Sequence, residues 1–484
     1  MKLLPSRIHS RRGSVLIVAL LFSGAIGLSL ATYLRMSRTS HVVSNRAFYN
    51  NAAMNIAEQG LEEAMYSVNK SVSDPTYNWT TDGWTLASGD ARREWTGLTL
   101  SQATTASFRV YMYNYALANP APKIVISRAL VTLAGPNTKP VEKWVQVTLK
   151  KTSKFANGLV AKQQIDFNGN NASVDSWNSD PDNNAATAPI LYSAGVRRAN
   201  GSVASNTLVS VQNADIFGYV ATGGANPPVS SNGMITGNFS ATGGTVDVGR
   251  VDTNFNTNMD PVSAPTTFTV GATTTPISWS PYGGSIGAGV TLPRTSGPTI
   301  DPVSADGKYY ITADSVNFNN SALTIADKVV LRLTNSSTSI DIGGGSGELR
   351  INPGASFEAY GAGTFRVTGN GIMNGGTTLA TVNQPINCQF YGTKTTLSQT
   401  IDIKGNGVLS ALVYAPFGSV IINGNGDVCG SIVANTITVV GNAFFHYDES
   451  LADYGVDSPY RLSNWKELTT MADRTAAAAA VINW

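Results

Sequence analysis

Residues 14–34 read SVLIVALLFSGAIGLSLATYL, 21 positions without a charge. At about 1.5 Å per residue in a helix, the run reaches roughly 30 Å, the thickness of a bilayer's hydrocarbon core. Gly24 and Gly27 are its weakest helix formers. Ahead of it, Met1–Gly13 carries Lys2, Arg7, Arg11 and Arg12 and no acid; behind it stand Arg35 and Arg38. One such segment before more than 400 residues of different composition marks a bitopic or secreted chain. A secretory signal has a shorter apolar core and a small-residue cleavage site on its far side. No Ala-x-Ala pattern follows Leu34, so the run is expected to be kept.

Beyond the run, no Pro stands between Ser6 and Pro75. Ala47, Met54, Ala57, Leu61, Ala64, Met65 and Val68 recur at steps of three, four and seven, the periodicity of an amphipathic helix. Asn50, Asn51, Glu58, Glu62 and Glu63 take other faces. One long helix is therefore expected, with 14–34 in the membrane and 35–70 as a stalk.

At 484 residues the chain exceeds one typical domain. Only 13% of it is charged and the formal net charge is +2. Outside the leader there is no basic stripe of the kind nucleic-acid binding needs, so no such partner is expected. Gly, Asn, Ser and Thr supply the polarity, concentrated after about residue 155. Two cysteines, Cys388 and Cys429, are too few for a disulfide framework. Three histidines, His9, His41 and His446, leave almost nothing for a His-rich metal site.

Residues 71–152 read as a small antiparallel sheet. Phe108–Tyr115, Ile124–Leu133 and Val141–Lys150 are rich in β-branched and aromatic residues and bounded by Pro, Gly or Asn. Phe108, Val110 and Met112 alternate with Arg109, Tyr111 and Tyr113, so one face is expected to be buried. The stretch 71–107, with Trp79, Trp84 and Trp95, reads as turn-rich.

From about Phe155 short apolar alternations are separated by Gly/Asn turns: Ile340-Asp-Ile342, Leu349-Arg-Ile351, Phe365-Arg-Val367, Ile401-Asp-Ile403 and Val420-Ile-Ile422. Gly405-Asn-Gly407 recurs as Gly424-Asn-Gly426, and Ala411–Pro416 aligns with Gly430–Asn435, both at an offset of 19 residues. Such a period predicts stacked coils, a parallel β-helix, with a jelly roll as the alternative. Six prolines in 252–301 break the ladder there. The solenoid is thus expected in two parts, 153–251 and 302–450, around a Pro-rich excursion 252–301. Residues 451–484 read as a tail, helical around Ala476–Ala480.

The junction Arg11-Arg12-Gly13-Ser14-Val15 resembles the cleavage site of type IV prepilins. Ala47-Phe48-Tyr49 followed by Ala57-Glu58-Gln59-Gly60-Leu61-Glu62-Glu63-Ala64 resembles the helix of PilX-like minor pilins. Val174–Asn178 and Phe444–Glu449 resemble marks of a β-helical domain found behind such N-termini. The resemblance implies processing between Gly13 and Ser14 by a prepilin peptidase, with methylation of the new amine. It places Phe48, Glu58, Gly60, Leu61 and Glu62 in the pilin helix motif. Val18 stands at the fifth mature position, where most major pilins carry Glu, so bulk polymerisation is in doubt and a minor pilin or pseudopilin is implied. Implied partners are the prepilin peptidase, other minor and major pilins, the inner-membrane assembly platform and a surface ligand. The implied location is the bacterial inner membrane, single-pass, N-terminus cytoplasmic, with the C-terminal domain periplasmic or on the cell surface.

Catalytic and metal signals are thin. Asp180, Asp182 and Asn184 open like a calcium loop, but Ala185 and Leu191 stand where the Gly and distal Glu of an EF-hand belong, so a hydrated loop is favoured. His446 beside Asp448 and Glu449 could form an acid–base pair, or cap the last coil. Neither a cofactor nor a resident metal is expected. A structural, non-enzymatic role in a type IV pilus or type II secretion pseudopilus follows, by priming or capping a filament, with adhesion. The alternatives are an anchored β-helical enzyme acting on polysaccharide and an unprocessed bitopic scaffold.

Overall fold

The computed structural model of the chain describes residues 12–481 apart from 75, 102–103, 118, 120, 134–138, 152, 170, 183, 185–186, 272, 405–407, 424–425 and 455–458. The first eleven leader residues and the Gly405-Asn-Gly407 repeat lie outside the described residues. The protein is mainly β with one long apolar N-terminal helix. It divides into two units, Met1–Lys151 with Val456–Trp484, and Thr152–Gly455.

In the first unit, helix α1 runs unbroken from Arg12 to Ser73, 62 residues and roughly 90 Å. Its first half is bare: Leu16, Phe22, Leu28 and Met36 are each two-thirds or more exposed. The second half is amphipathic, with Ala53, Ile56, Ala57, Leu61, Ala64 and Val68 buried. These meet an antiparallel sheet of β1 (Thr85–Ala87), β2 (Asp90–Ser101), β3 (Thr104–Tyr113), β4 (Lys123–Thr132) and β5 (Val141–Lys151), in that order. Phe108, Val110 and Met112 point into this core as their alternation predicts.

Two features differ from the sequence reading. The stretch 71–107 is not merely turns, for it holds β1 and β2. Ser88 and Gly89 both have positive φ, 53° and 86°, the conformation of a tight two-residue hairpin that Gly accommodates. Its tryptophans form an edge-on cluster: Trp79 and Trp84 lie 5.2 Å apart, and Trp95 stacks on Phe108 at 4.5 Å. Nor is 451–484 a free tail. Tyr460–Glu467 pairs antiparallel with β5 as the sixth strand, and helix α2 (Met471–Val481) follows. Local propensity sees the helix; only the sheet's open edge explains the strand.

In the second unit, short strands pair in parallel from one to the next. One column of interior residues runs Ile311, Leu331, Ala359, Phe390, Val413, Ile432, Leu159, Val203, Val220, each in register with the next. A second runs Val316, Ile340, Phe365, Ile401, Val420, Ile437, Ile165, Val209. All of these side chains are buried. The 19-residue repeat is the step between neighbours: Ala411 pairs with Gly430 and Ala415 with Ala434.

The order of the strands is not the order of the chain. Leu159–Phe167 pairs with Asp427–Val440 on one side and with Gly201–Ser205 and Leu208–Ser210 on the other. The early segment therefore extends the ladder from the end of the late one. Val174-Asp-Ser-Trp and Phe445-His-Tyr-Asp are likewise adjacent parallel strands. The Pro-rich 252–301 is only partly an excursion, since pairing resumes at Ser280–Pro281 and Thr291–Leu292. Two-residue strands tolerate Pro281 within and Pro293 beside them because so few backbone donors are needed. The excursion proper forms a hairpin, Thr267–Val270 with Thr273–Pro276, and the backbone oxygen of Asp260 accepts from the Tyr414 hydroxyl at 2.8 Å.

Candidate functional site

The residues that carried the pilin resemblance lie on α1. At Gly13 and Ser14 only the backbone is described, and it is helical. Val18 is half exposed and Phe48 two-thirds exposed, edge-on to Tyr49 at 5.3 Å. Glu58 and Glu62 are exposed and Leu61 is buried. Gly60 packs tightly against the sheet. A Cβ there would sit 2.3 Å from Ser127 Oγ, 2.7 Å from Val110 Cγ2 and 3.0 Å from Phe108 Cδ2. Glycine at this position sets the distance between α1 and the sheet. Nearby, the Trp84 indole donates to buried Ser67 Oγ at 3.0 Å.

Lys123 is a buried cation in the same unit. Its ammonium donates to the backbone oxygens of Asn114 and Ala116 at 2.6 and 2.8 Å. Burial, then the charge of Lys151, lowers its pKa to about 8.

In the second unit, His446 is not paired with Asp448 or Glu449 as sequence proximity suggested. Asp448, two residues on, shares a face with His446 but is held by other donors, and Glu449 begins the turn beyond the strand. Asp448 accepts from Ser179 and Ser450, and burial pushes its carboxyl up against those hydrogen bonds. Glu449 binds Arg198 at 2.8 Å and accepts from Ser176 and Asn200. The partners of His446 come from adjacent strands: Nδ1 lies 2.6 Å from Asp175 Oδ1 and Nε2 3.1 Å from Asp427 Oδ1. Tyr192 stacks on the imidazole, centroids 3.6 Å apart, and donates to the other Asp175 oxygen at 2.6 Å.

A carboxylate oxygen at each ring nitrogen favours the form in which both nitrogens donate, the imidazolium. Burial disfavours that charge, but the hydrogen bonds to Asp175 and Asp427 outweigh it and hold the histidine above its ordinary pKa. The ring is also not a cap, because Ser173–Trp177 stacks on its strand. The signal for Asp175 and Asp427 was absent from the sequence because register, not spacing, brings them in. With the histidine side chain only 5% exposed, these contacts tie three neighbouring strands together from within.

Asp180 accepts from the Asn184 backbone N–H at 3.0 Å, and Asp182 from the Thr187 hydroxyl at 3.1 Å. Among the described residues no group of three or more His, Cys, Asp or Glu is placed to hold a metal. Cys388 and Cys429 are both free and buried, Cys388 in the interior and Cys429 beside Trp177 and Val408. Burial raises both thiols. A groove of about 460 Å³ lies beside the excursion, lined by Pro261, Val262, Arg332, Tyr360, Thr393 and Thr395 among others.

Residues 286–454 match a family described as a domain of unknown function, DUF7305. The match begins at Ile286, just after pairing resumes, and ends at Tyr454. No curated protein matches the chain.

Proposed function

We propose that this chain is a PilX-like minor pilin or pseudopilin, a structural subunit of a type IV pilus or type II secretion pseudopilus. It is processed between Gly13 and Ser14 by a prepilin peptidase and anchored through 14–34 in the bacterial inner membrane. The N-terminus is cytoplasmic, and the parallel ladders of the second unit form a β-helix presented outside that membrane. Its work is to prime or cap a filament with other pilins on an inner-membrane assembly platform, and to offer the β-helix for adhesion.

One observation carries this reading. A single helix has a bare apolar half suited to a bilayer or a filament core, and a second half closed under an antiparallel sheet at Gly60, within the very motif that resembles minor pilins. The side chains at the fifth mature position agree with a subunit outside the filament's bulk, since Val18 offers no carboxylate to a neighbour's amine. Mass spectrometry of the mature N-terminus tests it. The expected product begins at Ser14 with a methylated amine, and Gly13→Leu leaves the full-length precursor in the membrane. An intact Met1 in the mature protein, or cleavage near Leu34, would refute it.

A further inference from the structure

The excursion carries the chain back along the outside of the ladder. It leaves after Val251–Asp252 at one end and re-enters at Ser280–Pro281 at the other. On the way the Thr257 backbone N–H donates to Asn206 Oδ1 at 2.9 Å, and the Asp260 oxygen accepts from Tyr414. Further on, Val262, Ala264, Phe268 and Trp279 pack against Tyr310, Val330 and Tyr360, which alternate with the interior column and so face outward. The excursion is thus a fixed wall. The groove of about 460 Å³ beside it is preformed and falls in the size range of small-ligand sites.

Arg332 is the only charged residue lining that groove among the described residues. It stands in register between Thr312 and Tyr360. Its guanidinium lies 4.5 Å from the Trp279 ring, and Nε donates to Thr312 Oγ1 at 3.4 Å. No carboxylate forms an ion pair with it among the described residues. Acids close by are engaged elsewhere: Lys308 takes Glu358, and Asp314 accepts from the Thr334 hydroxyl at 3.2 Å. Ser263, Thr334, Thr393 and Thr395 line the groove with hydroxyls, and Tyr360, stacked on Tyr391 at 4.6 Å, adds an apolar surface.

We propose that this groove binds an acidic glycan, seating one uronic-acid unit with its carboxylate on the Arg332 guanidinium. A guanidinium stacked on an aromatic ring keeps its fork of donors free for a carboxylate. A single cation matches a monoanionic carboxylate better than a doubly charged phosphate. The four hydroxyls each donate and accept, which suits the hydroxyls of a sugar ring. An extended peptide fits poorly, because binding it as an added strand needs an open edge. Lys328–Leu333 is paired on both sides, and so is Ser356–Gly361. This deepens the adhesive part of the function proposed above and rests on it only for where the glycan is met.

Titration calorimetry on the full chain in detergent micelles tests it, with trigalacturonate and trimannuronate as probes. At least one is expected to bind, and its methyl ester, which keeps the hydroxyls but not the charge, to bind at least about tenfold more weakly. Arg332→Gln should weaken the acid by a similar factor and leave the ester unchanged. Because that change also frees Trp279, Ser263→Trp serves as a second variant: it fills the groove from an exposed position and should abolish binding with the melting temperature unaltered. Binding of neither probe overturns the proposal. So does an ester that binds as tightly as the acid, hexaglutamate that binds as tightly as the sugar, or affinity that survives both variants. Processing at Gly13 is not needed in micelles, so the N-terminal mass and the titration fail independently.

Discussion

At Gly60 two local preferences oppose each other. Alanine would favour the helix by about 1 kcal/mol, yet its methyl would press on Ser127, Val110 and Phe108. Close contact with backbone-anchored strands leaves little room to relax, and overpacking costs about 1–3 kcal/mol. Gly60→Ala is therefore expected to lower the melting temperature of the first unit despite its better propensity. Ser127 Oγ is the nearest atom, and it is buried with no hydrogen-bond partner among the described residues. Ser127→Ala should then be neutral or stabilising alone, and should recover part of the Gly60→Ala loss. Additive effects in the double mutant would contradict this, since contacting residues are expected to couple. Cysteine chemistry gives a second residue-scale expectation. Cys388 and Cys429 are free and buried, so thiol titration should find two reactive groups after denaturation without reductant and almost none before.

At the scale of elements, the completing strand Tyr460–Glu467 and helix α2 are held to the sheet by few side chains. Leu468 is buried with Trp144, Ile126 and Ala477, and its backbone N–H donates to the Trp144 oxygen at 2.9 Å. Leu468→Ala is expected to cost about 2–3 kcal/mol, the loss for a buried leucine. It should release the tail to protease before β2–β5 unfold; tail cleavage unchanged from wild type would count against this docking. This strand also marks a limit of the sequence reading. Its side chains are exposed almost throughout, so no alternation announces it. By contrast α1, β3, β4 and β5 were legible because each carries a half-buried face with the right period. In the second unit the alternations Ile340-Asp-Ile342, Phe365-Arg-Val367 and Ile401-Asp-Ile403 stack in register as their pattern foretells. What periodicity cannot convey is which strand lies beside which when the order departs from the chain. That is why Asp175 and Asp427, both essential to the setting of His446, escaped notice while the histidine itself did not.

At the scale of the whole β unit, the departure in order has a mechanical consequence. The early and late segments of the ladder are joined covalently far from where they meet, so their junction holds only by packing and hydrogen bonds. His446 sits in that junction, its strand between Asp427–Val440 and Ser173–Trp177. The imidazolium bonds a carboxylate on each side, Asp175 and Asp427. Its folded pKa is raised above the ordinary value of 6.5. Such a group contributes its full stabilisation below about pH 6.5 and loses it as pH rises through the folded value. Once neutral, the ring can donate from one nitrogen only, leaving one carboxylate against a lone pair. Amide exchange at 173–177 and 444–448, corrected for intrinsic rates, should therefore accelerate as pH rises above about 6.5 through the raised folded value. His446→Gln keeps donors without a charge that titrates. It should weaken the junction by about 1–3 kcal/mol and flatten the pH dependence of these amides. Acceleration that persists unchanged in His446→Gln would mean that the junction is governed by another group.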